Sequence, residues 1–151
     1  AASDVYKRQK GYRAALAAAG LPYYPEWVRS CAPTARGGRQ ATLELLSNHP
    51  ELTGLVCYND LVAVGALQEA KDRGCQVPED LAIVGHDDIP LAALVTPALT
   101  TCRMPRYELG TQAVGLLLEQ LDSSAEPSAE IVLSPELVVR ASAPGAAGTE
   151  A

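Results

Sequence analysis

A chain of 151 residues is about one domain's worth of sequence, and with 48% apolar residues, 20% charged residues and no Phe its composition is that of a globular α/β domain with a Leu-, Val- and Ala-filled core. Its 12 basic against 18 acidic residues give a formal net charge of -6, which repels a polyanionic backbone and excludes this segment as a direct nucleic-acid reader. Cys31, Cys57, Cys75 and Cys102 form no CxxC pair and have no histidine at zinc-site spacing, and no apolar run is long enough to span a membrane; metal and disulfide frameworks are argued against, and a reducing, cytoplasmic setting is expected.

Residues 6–19 give the first predicted helix, with Tyr12, Ala15, Leu16 and Ala19 on one face and Gly20 as its stop. Residues 27–30 read as a short strand in which Trp27 is a core residue, the alternative being a stacking platform for a sugar ring. Residues 36–48 form a second helix with Ala41, Leu45 and Leu46 inward. The apolar run 55–58 is a strand of the kind buried on both faces of a parallel sheet, ended by Asn59-Asp60. Helix 61–73 follows, with Leu61, Val64, Leu67 and Ala70 at helical spacing, Asp60 as N-cap and Gly74 as stop.

Residues 81–85 are the next buried strand, closed by His86-Asp87-Asp88. A turn or short helix over 89–94 leads to a strand at 99–103, and Pro105 opens a long helix carrying Leu109, Ala113, Leu116, Leu117 and Leu121 on one period. A polar loop at 123–128, extended segments at 130–133 and 136–140, and an Ala/Gly/Pro-rich disordered tail at 143–151 complete the chain.

Strands alternating with helices across short connections predict an α/β fold with a doubly wound parallel sheet. Ligands in such sheets sit beyond the carboxyl ends of the strands, so the polar residues following each strand are the ones to examine. Arg8 stands at the start of the first helix, Asn59 follows one strand, Asp87 follows the next, and Arg103-Met104 follows another. A guanidinium, a carboxamide and a carboxylate suit a small polyhydroxy or heterocyclic ligand, and the set contains no nucleophile. Helix capping is the alternative for Asn59-Asp60. For Asp87-Asp88 the alternatives are a solvated turn, acid–base chemistry, or with His86 a divalent cation, although adjacent residues on an extended chain point apart. No phosphate-cradling GxxxxGK[ST] or GxGxxG run and no GxSxG elbow occurs, so no cofactor and no enzyme activity are expected.

Several stretches in order resemble the LacI/GalR family of bacterial repressors. They are Gly11-Tyr12-Arg13-Ala14-Ala15-Leu16 with Arg8 before it, Tyr58-Asn59-Asp60-Leu61-Val62-Ala63-Val64-Gly65, Val77-Pro78-Glu79-Asp80-Leu81-Ala82-Ile83-Val84-Gly85-His86-Asp87-Asp88, Pro97-Ala98-Leu99-Thr100-Thr101, and Glu136-Leu137-Val138-Val139-Arg140. The resemblance implies a periplasmic-binding-protein-like domain of two subdomains around an effector cleft, a homodimer with the helix at 61–73 near its interface, and operator binding through an N-terminal helix-turn-helix outside this chain. On that pattern 1–104 is the second subdomain without its first strand, 105–122 is the helix returning to the first subdomain, 123–142 holds the loop and closing strands, and 143–151 is the tail. Arg8, Asn59 and Asp87 match the family's effector contacts. His86, where the family often has Tyr or Phe, lines the cleft, and Met104 replaces a commonly polar residue. A sugar-like or nucleobase effector is implied. A sugar-binding component of a transporter, which shares the fold, is the rival reading, and a small enzyme using Asp87-Asp88 is a second.

Overall fold

The structure, a computed structural model, describes residues 2–122 and 130–145, in two compact units, residues 1–30 and 31–151. The loop expected at 123–128 and most of the expected tail lie outside the described residues.

In the first unit, helix α1 (Ala2–Ala18) ends as its sequence requires. Gly20 takes φ +68°, its N–H donates to the Ala17 carbonyl and the Leu21 N–H donates to the Leu16 carbonyl, so the last carbonyls of the helix are satisfied by a turn that favours glycine. The strand expected at 27–30 is not formed. A 3-10 turn, Pro25–Trp27, takes its place, and Val28 is extended but has no ladder partner among the described residues. Trp27 is half-buried against Tyr24, with ring centroids 4.5 Å apart, while the Arg13 guanidinium lies 4.4 Å above the Tyr23 ring.

The second unit runs α2 (Ala35–Asn48), β1 (Gly54–Val56), α3 (Asp60–Asp72), β2 (Ala82–Asp87), α4 (Pro90–Leu94), β3 (Thr100–Arg103), α5 (Arg106–Asp122) and β4 (Glu136–Val138). The sheet order is β1-β2-β3-β4. The first three strands are parallel, as the alternating pattern predicts, and β4 joins β3 antiparallel, which makes the sheet mixed. Leu81, Ile83 and Leu99 are fully buried, and with Ala63, Ala66, Leu67 and Ala92 they form the core between the sheet and α3.

Glycine sets how closely α2 and α3 cross. A Cβ on Gly65 would collide with the Ala35 carbonyl and the Arg39 amide, and one on Gly38 would collide with the Val62 backbone. The backbones therefore meet directly, and nine of the 13 residues of α3 are buried. Only Leu61, Gln68, Lys71 and Asp72 of this helix are exposed.

The chain end is held by a residue that periodicity does not single out. Ser142 is fully buried between β2 and β3; its hydroxyl donates to the Ile83 carbonyl at 2.6 Å and accepts from the Thr100 amide at 2.9 Å.

Candidate functional site

Asn59 and Asp87 stand at the carboxyl ends of the adjacent parallel strands β1 and β2. The residue capping α3 is Asn59, not Asp60: the Asn59 side-chain oxygen accepts the Val62 N–H at 2.9 Å. Capping uses only that oxygen, and the carboxamide nitrogen has no partner among the described residues.

Asp60, expected as the cap, is instead the first residue of α3, and its carboxylate is turned inward and fully buried. One oxygen accepts the Thr101 hydroxyl at 2.6 Å and the other accepts the Ile89 N–H at 2.9 Å. A buried carboxylate is tolerated because donors replace its water. Gly85 makes room for it, since a Cβ there would overlap the Asp60 oxygen. The turn that follows Asp87 is thus tied through Ile89 to the residue next to Asn59. Sequence patterning missed this tie; the visible signal is two adjacent threonines, Thr100 and Thr101, which are the buried residues of their strand.

Strand β2 runs two residues further than expected and includes His86 and Asp87. Asp87 has φ +114° and Asp88 φ +51°. Aspartate tolerates the left-handed region, but φ near +114° lies outside it and stores strain of about 1–3 kcal/mol, a cost found preferentially at ligand clamps and switch regions. One Asp87 oxygen lies 3.1 Å from His86 Nδ1, an interaction in which His86 donates when that nitrogen is protonated. The other Asp87 oxygen has no partner among the described residues, and the side chain is 37% exposed.

The two neighbouring carboxylates are used apart. Asp88, 10% exposed, accepts from Arg103 Nε at 2.7 Å on one oxygen and from an Arg140 terminal nitrogen at 2.8 Å on the other. Burial raises the Asp88 pKa, but the hydrogen bonds and charges of Arg103 and Arg140 outweigh it and hold the carboxyl below its ordinary value. The same contact raises Arg103 further, with Glu136 adding to it. A carboxylate engaged in this way is not a proton-sharing partner for Asp87. No group of three or more His, Cys, Asp or Glu among the described residues is placed to hold a metal ion.

Beside Asp88 lies an open depression of about 550 Å³ lined by Arg103, Met104, Arg106 and Tyr107. A second one, of about 470 Å³ between α2 and α3, is filled with ion pairs: buried Glu69 is held by Arg39 at 3.3 Å and Arg73 at 2.9 Å, and Asp72 by Arg39 at 2.7 Å. Its two carboxylates are thus both paired with arginines. The sequence-predicted residues gathered in the second unit are therefore Asn59, His86 and Asp87, while Arg8 is a half-buried residue of α1 in the first unit.

Residues 2–143 match the family of periplasmic binding protein-like domains. The chain is 38% identical over 135 residues to the HTH-type transcriptional repressor CytR of Escherichia coli (strain K12), a match covering 89% of this chain and 40% of that protein. The solved transcriptional regulator CelR in complex with cellobiose superimposes with a TM-score of 0.85 at 33% identity, covering 91% of this chain and 42% of that one. A LacI family transcriptional regulator from Arthrobacter sp. FB24, in complex with lactose, gives a TM-score of 0.77 at 34% identity, covering 88% of this chain and 49% of that one. The chain thus spans about two fifths of the length of the curated relative it matches.

Proposed function

The chain belongs to the LacI/GalR family of transcriptional regulators, and from that premise we propose that it is the effector-sensing part of such a regulator, most of its second subdomain together with the helix and strands that join it to the first. The observation that carries this reading is Asp87: a strained residue at the end of a central strand, with a carboxylate oxygen left unpartnered among the described residues, followed by a turn tied to the neighbour of Asn59. A carboxylate acceptor beside a carboxamide donor fits the paired hydroxyls of a sugar or the ring edge of a nucleobase. His86, beside Asp87, supplies a wall of the cleft. The cellobiose and lactose bound by the two structural relatives favour the sugar.

Nothing in this set is a nucleophile or a proton-sharing pair, so the proposed role is binding without turnover. Effector binding closes the cleft and biases the arrangement of subdomains that paired DNA-binding heads read, which couples effector to operator by linkage. We place the protein in the cytoplasm as a homodimer. Leu61 on α3 and Leu91 and Leu94 on α4, the last 78% exposed, are exposed apolar side chains suited to that contact. The named relatives are regulators, which favours this reading over a transporter component.

A thermal-shift screen of the complete regulator against cellobiose, lactose and nucleobases, with Asp87→Ala as control, tests the proposal. A bound effector raises the midpoint by mass action. The expected result is a hit lost in Asp87→Ala; a hit unchanged by that substitution overturns the assigned cleft.

A further inference from the structure

We infer that Asp88 is a positioning residue for the Asp87 site: it fastens the strained bend that carries Asp87 to two crossing segments, the exit from β3 toward α5 and the stretch just beyond β4, so that ligand at Asp87 and the setting of those segments are coupled through it. The inference rests on the reading of Asp87 as the effector-binding carboxylate.

The fastening is made one oxygen at a time. Arg103 is the last residue of β3, three positions before α5 begins, and Arg140 lies just beyond β4. Each guanidinium takes a different Asp88 oxygen, and each is anchored a second time, Arg103 to Glu136 at 3.0 Å and Arg140 to the Leu99 carbonyl at 2.8 Å. Isolated surface ion pairs contribute little because two mobile side chains must be held in one geometry. Here that geometry is fixed at both ends, and the Asp88 and Arg140 side chains are largely shielded from water.

From the inner side, the Asp88 N–H reaches the Thr101 hydroxyl at 3.4 Å, and that hydroxyl donates to the buried Asp60, which also accepts from Ile89. The positive φ angles of Asp87 and Asp88 are therefore clamped between a buried anchor and an outer bridge. A strained bend persists only while its surroundings over-determine it. Releasing the outer bridge lets the bend relax, which moves the Asp87 carboxylate and frees both crossing segments together. The bend is thus an element whose equilibrium both the ligand and the crossings bias, as coupling between sites requires.

Amide hydrogen exchange on the complete regulator, native and Asp88→Asn, with and without cellobiose or lactose, tests this. In the free protein, exchange over 87–89, 103–106 and 138–142 should rise together by about fivefold in Asp88→Asn. With disaccharide, the native protein should gain protection at both crossings, and Asp88→Asn should still show a raised melting midpoint yet lose most of that gain. A purely structural role would not separate binding from protection of the crossings. Should Asp88→Asn fail to fold, Arg103→Gln removes one exposed arm of the bridge and should move the same segments in the same direction by a smaller factor. Unchanged exchange at the crossings in the free variants overturns the inference whether or not sugar binds. Sugar binding with native-like protection in Asp88→Asn overturns it while leaving the Asp87 site standing. Absence of any disaccharide shift in the native protein overturns the sugar reading, and the free-state exchange then decides the inference.

Discussion

Helices α3 and α5 carry similar apolar stripes and meet opposite fates. In α3 the stripe is buried against the sheet and α2, at a crossing that glycine brings to backbone contact. In α5, Leu109, Val114, Leu117, Leu118 and Leu121 are exposed, Leu117 by 56% and Leu121 by 74%, and the helix makes no extensive contact with any other described element. The stripe fixes which face of a helix seeks a partner, and the fold decides whether a partner is there. Under the proposed function the partner of α5 is the other effector subdomain, and the exposed stripe is the surface prepared for it.

The largest effect that breaks this contrast is expected on the packed side. Gly65→Ala forces a Cβ into the Ala35 carbonyl, which cannot yield without separating the helices, and should cost roughly 3 kcal/mol in urea unfolding. A loss below about 1 kcal/mol would show that α2 and α3 are not in the close contact described.

At the junction between the two regions, acid sharpens the comparison. The Asp88 pKa is depressed in the folded chain, so the stability it contributes is complete above the unfolded carboxylate value of about 3.9 and is lost as pH falls through the lower folded value. Urea midpoints measured at falling acid pH should therefore decline more steeply in the native chain than in Asp88→Asn. Parallel declines would mean that the Arg103–Asp88–Arg140 bridge contributes nothing to stability.

The smallest effect belongs to α5. Leu117→Gln keeps helix propensity and removes an exposed apolar group, so the unfolding free energy of this chain should move by less than about 0.5 kcal/mol. Its self-association in sedimentation should fall. A loss comparable to that of a core leucine would show that α5 is already packed in the isolated chain.

Much of the local structure is legible in the sequence. The stops at Gly20 and Gly74 both appear as left-handed glycines, because a helix end needs a conformation that other residues adopt only at a cost. The runs around Ile83 and Thr101 became strands because continuous apolar and β-branched sequence fits a buried sheet, whereas the run at 55–58, expected to be buried on both faces, formed only the short edge strand β1, whose Val56 is exposed because no strand covers that edge among the described residues. Residues 27–30 read as strand just as plainly and formed none, because a ladder needs a neighbour that local sequence does not supply.

The candidate site divides along the same line. Sequence alone placed Asn59, His86 and Asp87 near strand ends, since alternating strands and helices dictate roughly where those ends fall, although β2 extends to include His86 and Asp87. It could not tell which of two adjacent residues in Asn59-Asp60 or in Asp87-Asp88 faces outward. Tertiary structure decided both: Asp60 is buried beneath the space left by Gly85 and Asp88 is bridged by two arginines, while Asn59 and Asp87 keep polar atoms unpartnered among the described residues. The physical reason is that Thr101, Arg103 and Arg140 reach these carboxylates from 15 to 52 positions away along the chain, a distance across which periodicity carries no information and only the folded sheet brings charge to charge.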